Sequence, residues 1–300
     1  MMNFDELIER GWELHAEDPR AVADLLESEA RLAADATQAA TLLRLSNHAI
    51  GAHLHDWPRA GRLAAAVVSA LPDAVDTVAA LSSLAVAEFM AGGWRSALAT
   101  QARIVERDAA NAASALARIG IEVAVNSIGA GALDEGRVLY ESALALARAH
   151  ANPAALRSVA VASNNLASDL LARIDRTDAQ DRLMRDAAHA AHEFWLKCGT
   201  PVNAARADYL LALVYNAVTQ PDTARRHGAR ALALIEAQGD EKVDEAFTHL
   251  ALANSARLLD DRPGYDRHLS RADGLAAPFD GAGLRQWFAD ERRKVEWSGG

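Results

Sequence analysis

The chain has 300 residues and a formal net charge of −10 at pH 7, with 51 % hydrophobic residues but only 5 % aromatic ones. Alanine supplies about a quarter of it, a composition that favours helix and close packing, and no run alternates with period two as a strand would. An acidic chain without a basic stripe argues against nucleic acid, and the lack of an uninterrupted apolar run of spanning length argues against a membrane.

The chain reads as helix after helix. Asn3 to about Ala16 and Arg20 to Ala34 form a first pair broken at Asp18-Pro19, with Phe4, Leu7, Ile8 and Trp12 on one face. Residues 1–35 hold ten acids against Arg10, Arg20 and Arg31, which leaves −7 there and −3 for the rest. This acidic pair is expected to be a solvated cap. The second pair runs from Ala36 to His55 and from Trp57 to Leu71, and the third from Ala74 to Ala91 and from Trp94 to Asp108. Trp57 and Trp94 each stand three residues before a small residue, Ala60 and Ala97. They are expected to be equivalent and partly buried between helices. The fourth pair covers Ala112 to Ile128 and Leu133 to His150, the fifth Pro153 to Ile174 and Ala179 to Cys198. The sixth, Ala204 to Gly239, is broken at Thr219-Gln220-Pro221. The seventh spans Lys242 to Leu259 and Pro263 to Leu275. Pro278, Gly281 and Gly283 then interrupt the pattern before a last amphipathic helix within 282–297, with Trp287 and Phe288 expected inward.

In the sixth pair, Leu211-Ala212 is followed by Tyr215, a turn, and then Ala224, Gly228 and Ala231. This pattern resembles one tetratricopeptide (TPR) repeat, a helix-turn-helix unit, and the other pairs read as diverged copies over residues 36–276. Taking Ala60, Ala97, Gly136, Ala187, Ala224 and Tyr265 as equivalent gives spacings of 37, 39, 51, 37 and 41, so an insertion is expected around Asp175 to Leu183. The resemblance implies an all-α, right-handed superhelix of the TPR-like solenoid kind. It would comprise about seven helix pairs plus a C-terminal capping helix, in one domain over 1–300.

No catalytic constellation stands out. His189-Ala-Ala-His192-Glu193 has the wrong order for a zinc protease, and His48, His53 and His55 lack a spaced Cys or carboxylate to complete a tetrahedral set. Gly129-Ala-Gly131-Ala-Leu-Asp134 lacks the third glycine and the preceding strand of a dinucleotide loop. Asp260, Asp261 and Asp266 do not have EF-hand spacing. No cofactor, no metal and no enzymatic activity are therefore expected. The start MMNFDELIER lacks a signal-peptide pattern and Cys198 is the single cysteine, which predicts a cytoplasmic protein.

By the resemblance, the first helix of each pair would line a concave groove that takes a protein or peptide. Its register places Tyr209, Leu213 and Asn216 there, with Arg206 nearby; Asn164, Ser168 and Leu171 in the fifth pair; Ile121, Val125 and Ile128 in the fourth; and Ser82, Val86 and Phe89 in the third. The expected function is a non-enzymatic protein- or peptide-binding scaffold. The alternative is a regulatory sensor that binds a small peptide or ligand in the same groove.

Overall fold

In the computed structural model, which describes residues 2–72, 75–239 and 241–297, every regular element is helical, and no strand occurs among the described residues. The all-α expectation is met. Helix starts are encoded locally. The helix α1 (Phe4–Leu14) opens on a capping box in which Asn3 accepts from the Glu6 amide and Glu6 accepts from the Asn3 amide. Asp18, Asp35 and Asp56 accept in the same way at the starts of α2 (Pro19–Glu29), α3 (Ala36–Ser46) and α4 (Trp57–Ser69). Each such cap stabilises its helix by about 1 kcal/mol.

The chain continues through α5 (Val78–Met90), α6 (Trp94–Arg107), α7 (Ala112–Gly129), α8 (Leu133–His150) and α9 (Pro153–Ala172). Then come α10 (Asp178–Cys198), α11 (Pro201–Ala217), α12 (Pro221–Gln238), α13 (Lys242–Leu258), α14 (Arg262–Ala276) and α15 (Ala282–Lys294). In chain order these are seven pairs and a closing helix. The expected start of the third pair at Ala74 lies outside the described residues.

The helices form two compact units, Met1–Ala155 and Leu156–Gly300. In the first, α2 packs on α1, α4 on α3, α6 on α5 and α8 on α7, while α1, α3, α5 and α7 pack successively on one another. This is the organisation that the TPR-like reading implies. Leu7, Leu26, Leu42, Leu43, Leu45, Leu81 and Ile104 are completely buried in its core, with Ala39, Ala60, Ala64 and Ala85 between them as small contact residues. At Gly136 of α8, an added Cβ would lie 2.5 Å from Ile128 Cγ1 and 3.1 Å from the Ala124 carbonyl oxygen, so α8 approaches α7 more closely than a side chain allows.

In the second unit α12 packs on α11 and α14 on α13, with α11 also against α13. Helix α15 covers α13: Phe288 is buried with Phe247, Leu250, Leu275 and Phe279. Both units use one buried device between consecutive first helices. Asn47 Nδ2 donates to the Ser83 carbonyl oxygen at 2.9 Å in the first. In the second, Asn216 Nδ2 donates to the Ala251 carbonyl oxygen at 2.9 Å and Ser255 Oγ donates back to Asn216 Oδ1 at 2.9 Å.

Three expectations are corrected. Trp57 is buried, but Trp94 is 56 % exposed, covered on one side by the Arg95 guanidinium 5.1 Å from its ring. The two tryptophans differ because Trp57 has the bare backbone of Gly51 to pack against, whereas Trp94 follows a turn at Gly92 (φ +80°) and points outward. Trp287 is not inward; it is 51 % exposed, with only one face against Phe247, ring centroids 4.2 Å apart. In the fifth pair α9 has 20 residues and α10 has 21, with α10 starting at Asp178 inside the expected insertion. And α3 stops at Ser46, beyond which Asn47–His53 is a π-helix.

Candidate functional site

The expected groove residues fall into three groups. Ser82 and Asn216 are buried, as are Val86, Ile121 and Ile128, so these do not face a groove. Ser82 Oγ donates to the Val78 carbonyl oxygen of its own helix, and both polar ends of the Asn216 amide are used inside the second unit. The cause is enclosure: α5 is packed by α3, α4, α6 and α7, α7 by α5, α6 and α8, and α11 by α10, α12 and α13, so more than one face of each is covered. A second group is half-covered by its own chain. Tyr209 packs against the cluster built from α13, α14 and α15, and burial pushes its phenol up, with Glu291 and Asp244 adding to the effect. Arg206 is exposed but reaches across to α13, with its guanidinium 2.9 Å from Asp244 Oδ2. The rest keep some access: Ser168 is exposed, and Asn164, Leu171, Leu213, Val125 and Phe89 are half-buried.

The structure instead gathers histidines that the sequence leaves scattered. In the second unit Asp208, 3 % exposed on α11, is met by His227 Nδ1 at 2.7 Å, by an Arg230 guanidinium nitrogen at 2.9 Å and by His192 Nε2 at 3.4 Å. Burial alone would raise this carboxyl, but the hydrogen bonds from His192 and His227 and the Arg230 charge outweigh it and hold it well below the usual range. Tyr215 stacks on His227, ring centroids 5.5 Å apart, and its hydroxyl lies 2.7 Å from His189 Nε2. His189 and His192, which in the sequence only fail the zinc-protease order, therefore belong to a network joining α10, α11 and α12. The next pair repeats the device. Buried Glu245 on α13 is met by Arg271 at 2.7 Å and Lys242 at 3.0 Å, and His249 Nδ1 lies 2.9 Å from His268 Nδ1. A signal was present in the sequence: His227-x-x-Arg230 and His268-x-x-Arg271 recur 41 residues apart, with an acid on the preceding helix each time.

In the first unit, His15 at the end of α1 meets His48 and His53 of the π-helix, one ring nitrogen of each lying within 4.8 Å of the other two. His48 and His53 approach Nε2 to Nε2 at 3.2 Å. Elsewhere in this unit, Trp94, Leu98 and Val105 of α6 are 56, 54 and 41 % exposed. Offsets of four and seven residues put all three on one helix face.

No protein-family model matches the chain, and no curated protein is similar to it. Among solved structures it is similar to BtubC (BKLC) from P. vanneervenii, at 18 % identity and a TM-score of 0.45, over 82 % of this chain and 92 % of that one. A Podosopora anserina protein described as a kinesin light chain with nearly identical TPR-like repeats matches at 13 % identity and a TM-score of 0.43, over 80 % and 94 % of the two chains. The APC/C hetero-tetramer Cut9-Hcn1 matches at 13 % identity and a TM-score of 0.40, over 97 % of this chain and 48 % of that one. At these identities and scores, no residue role or partner carries over to this chain.

Proposed function

We propose that the protein is a non-enzymatic scaffold that binds a protein partner through a helix. The observation that supports this reading is the apolar stripe of α6. Exposed single hydrophobics are ordinary, but an aromatic, a leucine and a valine aligned on one solvent-facing helix match what an amphipathic helix docks against. Arg95, laid over Trp94, adds a cation at the edge of the stripe in an otherwise acidic protein. The partner is accordingly an apolar helix with acidic residues on its flank. The half-buried and exposed first-helix residues Asn164, Ser168 and Leu213 remain a separate secondary surface within the second unit. A cytoplasmic setting fits Cys198, whose thiol donates to the Phe194 carbonyl oxygen and is pushed up by burial.

A photo-reactive residue placed at Leu98 in the intact chain is expected to cross-link one partner protein, whereas the same group at exposed Arg31 is not. Trp94→Ala should abolish that cross-link while leaving the melting temperature nearly unchanged. A cross-link of equal strength from both positions, or one that survives Trp94→Ala, would overturn the proposal.

A further inference from the structure

The π-helical turn at Asn47–His53 and the histidines it carries have no part in the scaffold reading. A π-helix closes i→i+5 hydrogen bonds, as Leu54 N does onto the Ala49 carbonyl oxygen, and so brings residues five apart one above the other. His48 and His53 are five apart, and in an α-helix they would diverge. The backbone is committed to this turn on both sides. The bare Cα of Gly51 sits where a Cβ would be 2.4 to 2.6 Å from the Trp57 ring, and His55 closes the turn in the left-handed region at φ 56°, a conformation costly for a side-chain-bearing residue.

The third ring arrives from α1. His15 Nδ1 is hydrogen-bonded to the Trp12 carbonyl oxygen. This fixes a proton on that nitrogen and leaves Nε2 with its lone pair, the outer-sphere arrangement that orients histidine ligands in metal sites. Trp12 also lies against both His15 and His48, ring centroids 5.3 and 5.2 Å apart, which limits how the rings can turn. The 3.2 Å between His48 Nε2 and His53 Nε2 is close to the separation of about 3.3 Å between two nitrogens bound at about 2.0–2.1 Å to one tetrahedral ion.

We propose that His15, His48 and His53 bind one zinc-class divalent cation through three neutral imidazoles, with water in the remaining position, and that the ion ties the end of α1 to the π-helical turn. Three uncharged nitrogen donors suit zinc, nickel or copper and disfavour magnesium and calcium, which take oxygen. Because the ligands come from α1 and from the α3–α4 connection, binding stabilises the folded first unit by mass action.

The test uses the full chain, stripped with chelator and titrated with zinc chloride by calorimetry and by thermal melting, and with cobalt(II) by visible absorption. The expected result is one equivalent bound, a higher melting temperature with zinc, and the intense visible bands of four-coordinate cobalt. His53 is exposed, so His53→Ala should fold as the parent does in chelator yet bind zinc at least about tenfold more weakly, with the cobalt bands lost. His189→Ala, in the second unit, should bind as the parent does. No binding by the parent, magnesium binding as tight as zinc, or one equivalent retained by His53→Ala would each overturn the proposal. So would loss of zinc in His189→Ala alone.

Discussion

Equal residues in equal sequence positions do different work when the backbone opposite them differs. Trp57 and Trp94 share a place in their helices, but only Trp57 is enclosed. Trp57→Ala should therefore cost about 3–5 kcal/mol of stability in denaturant titration, and Trp94→Ala should fall within about 0.5 kcal/mol of the parent. The pairing of His249 with His268 makes a second prediction. Burial, then the neighbouring His268, hold His249 at about 4 in the folded chain, against 6.5 for the free side chain, and burial likewise lowers His268. Between those values the unfolded chain binds more protons than the folded one, so stability is fully present above about pH 6.5 and is lost as pH falls towards 4. Melting temperatures measured at intervals across that range should drop on the acid side, and His249→Leu should flatten the slope. Such pairs were not legible from spacing within one helix. Their partners lie on the next helix, and only the repeated His-x-x-Arg hinted at them.

Helices were the most legible layer, because alanine content, Asp or Asn caps and prolines at first positions act locally. What escaped was the choice between i→i+4 and i→i+5 hydrogen bonding at Asn47–His53, which hardly alters the apolar pattern and depends on Gly51 meeting Trp57 from a different helix. The groove register failed for a related reason. A helix such as α5, packed by α3, α4, α6 and α7, is covered on more than one face, so periodicity gives no single outward direction and Ser82 could be counted as outward although it is buried. Close approach of paired helices is a property of the element rather than of any one contact. Gly136→Ala would push a methyl into Ile128 and the Ala124 carbonyl, and should cost about 1–3 kcal/mol in chemical denaturation. Gly129→Ala, at a position with open space around its Cα, serves as the comparison and should cost less.

At the scale of the chain, the seven pairs and the closing helix follow the sequence reading in number and order, and no described helix is long and apolar enough to cross a membrane. Helix α15 matters here because Phe247, Leu250 and Phe279 would face water without it. A chain ending at residue 281 should self-associate, seen as a rise in light-scattering mass, and an unchanged monomer mass would remove the capping role. The buried asparagine rungs lead to a different kind of consequence. Repeat proteins hold together through couplings between adjacent units, and the strength of each coupling decides how many amides open in one event. Asn216 joins α11 to α13 through Ala251 and Ser255, so amide protons of those two helices should exchange with deuterium at one common free energy. Substituting Asn216 with Ala should break that unity and let α13 open on its own while α11 stays protected.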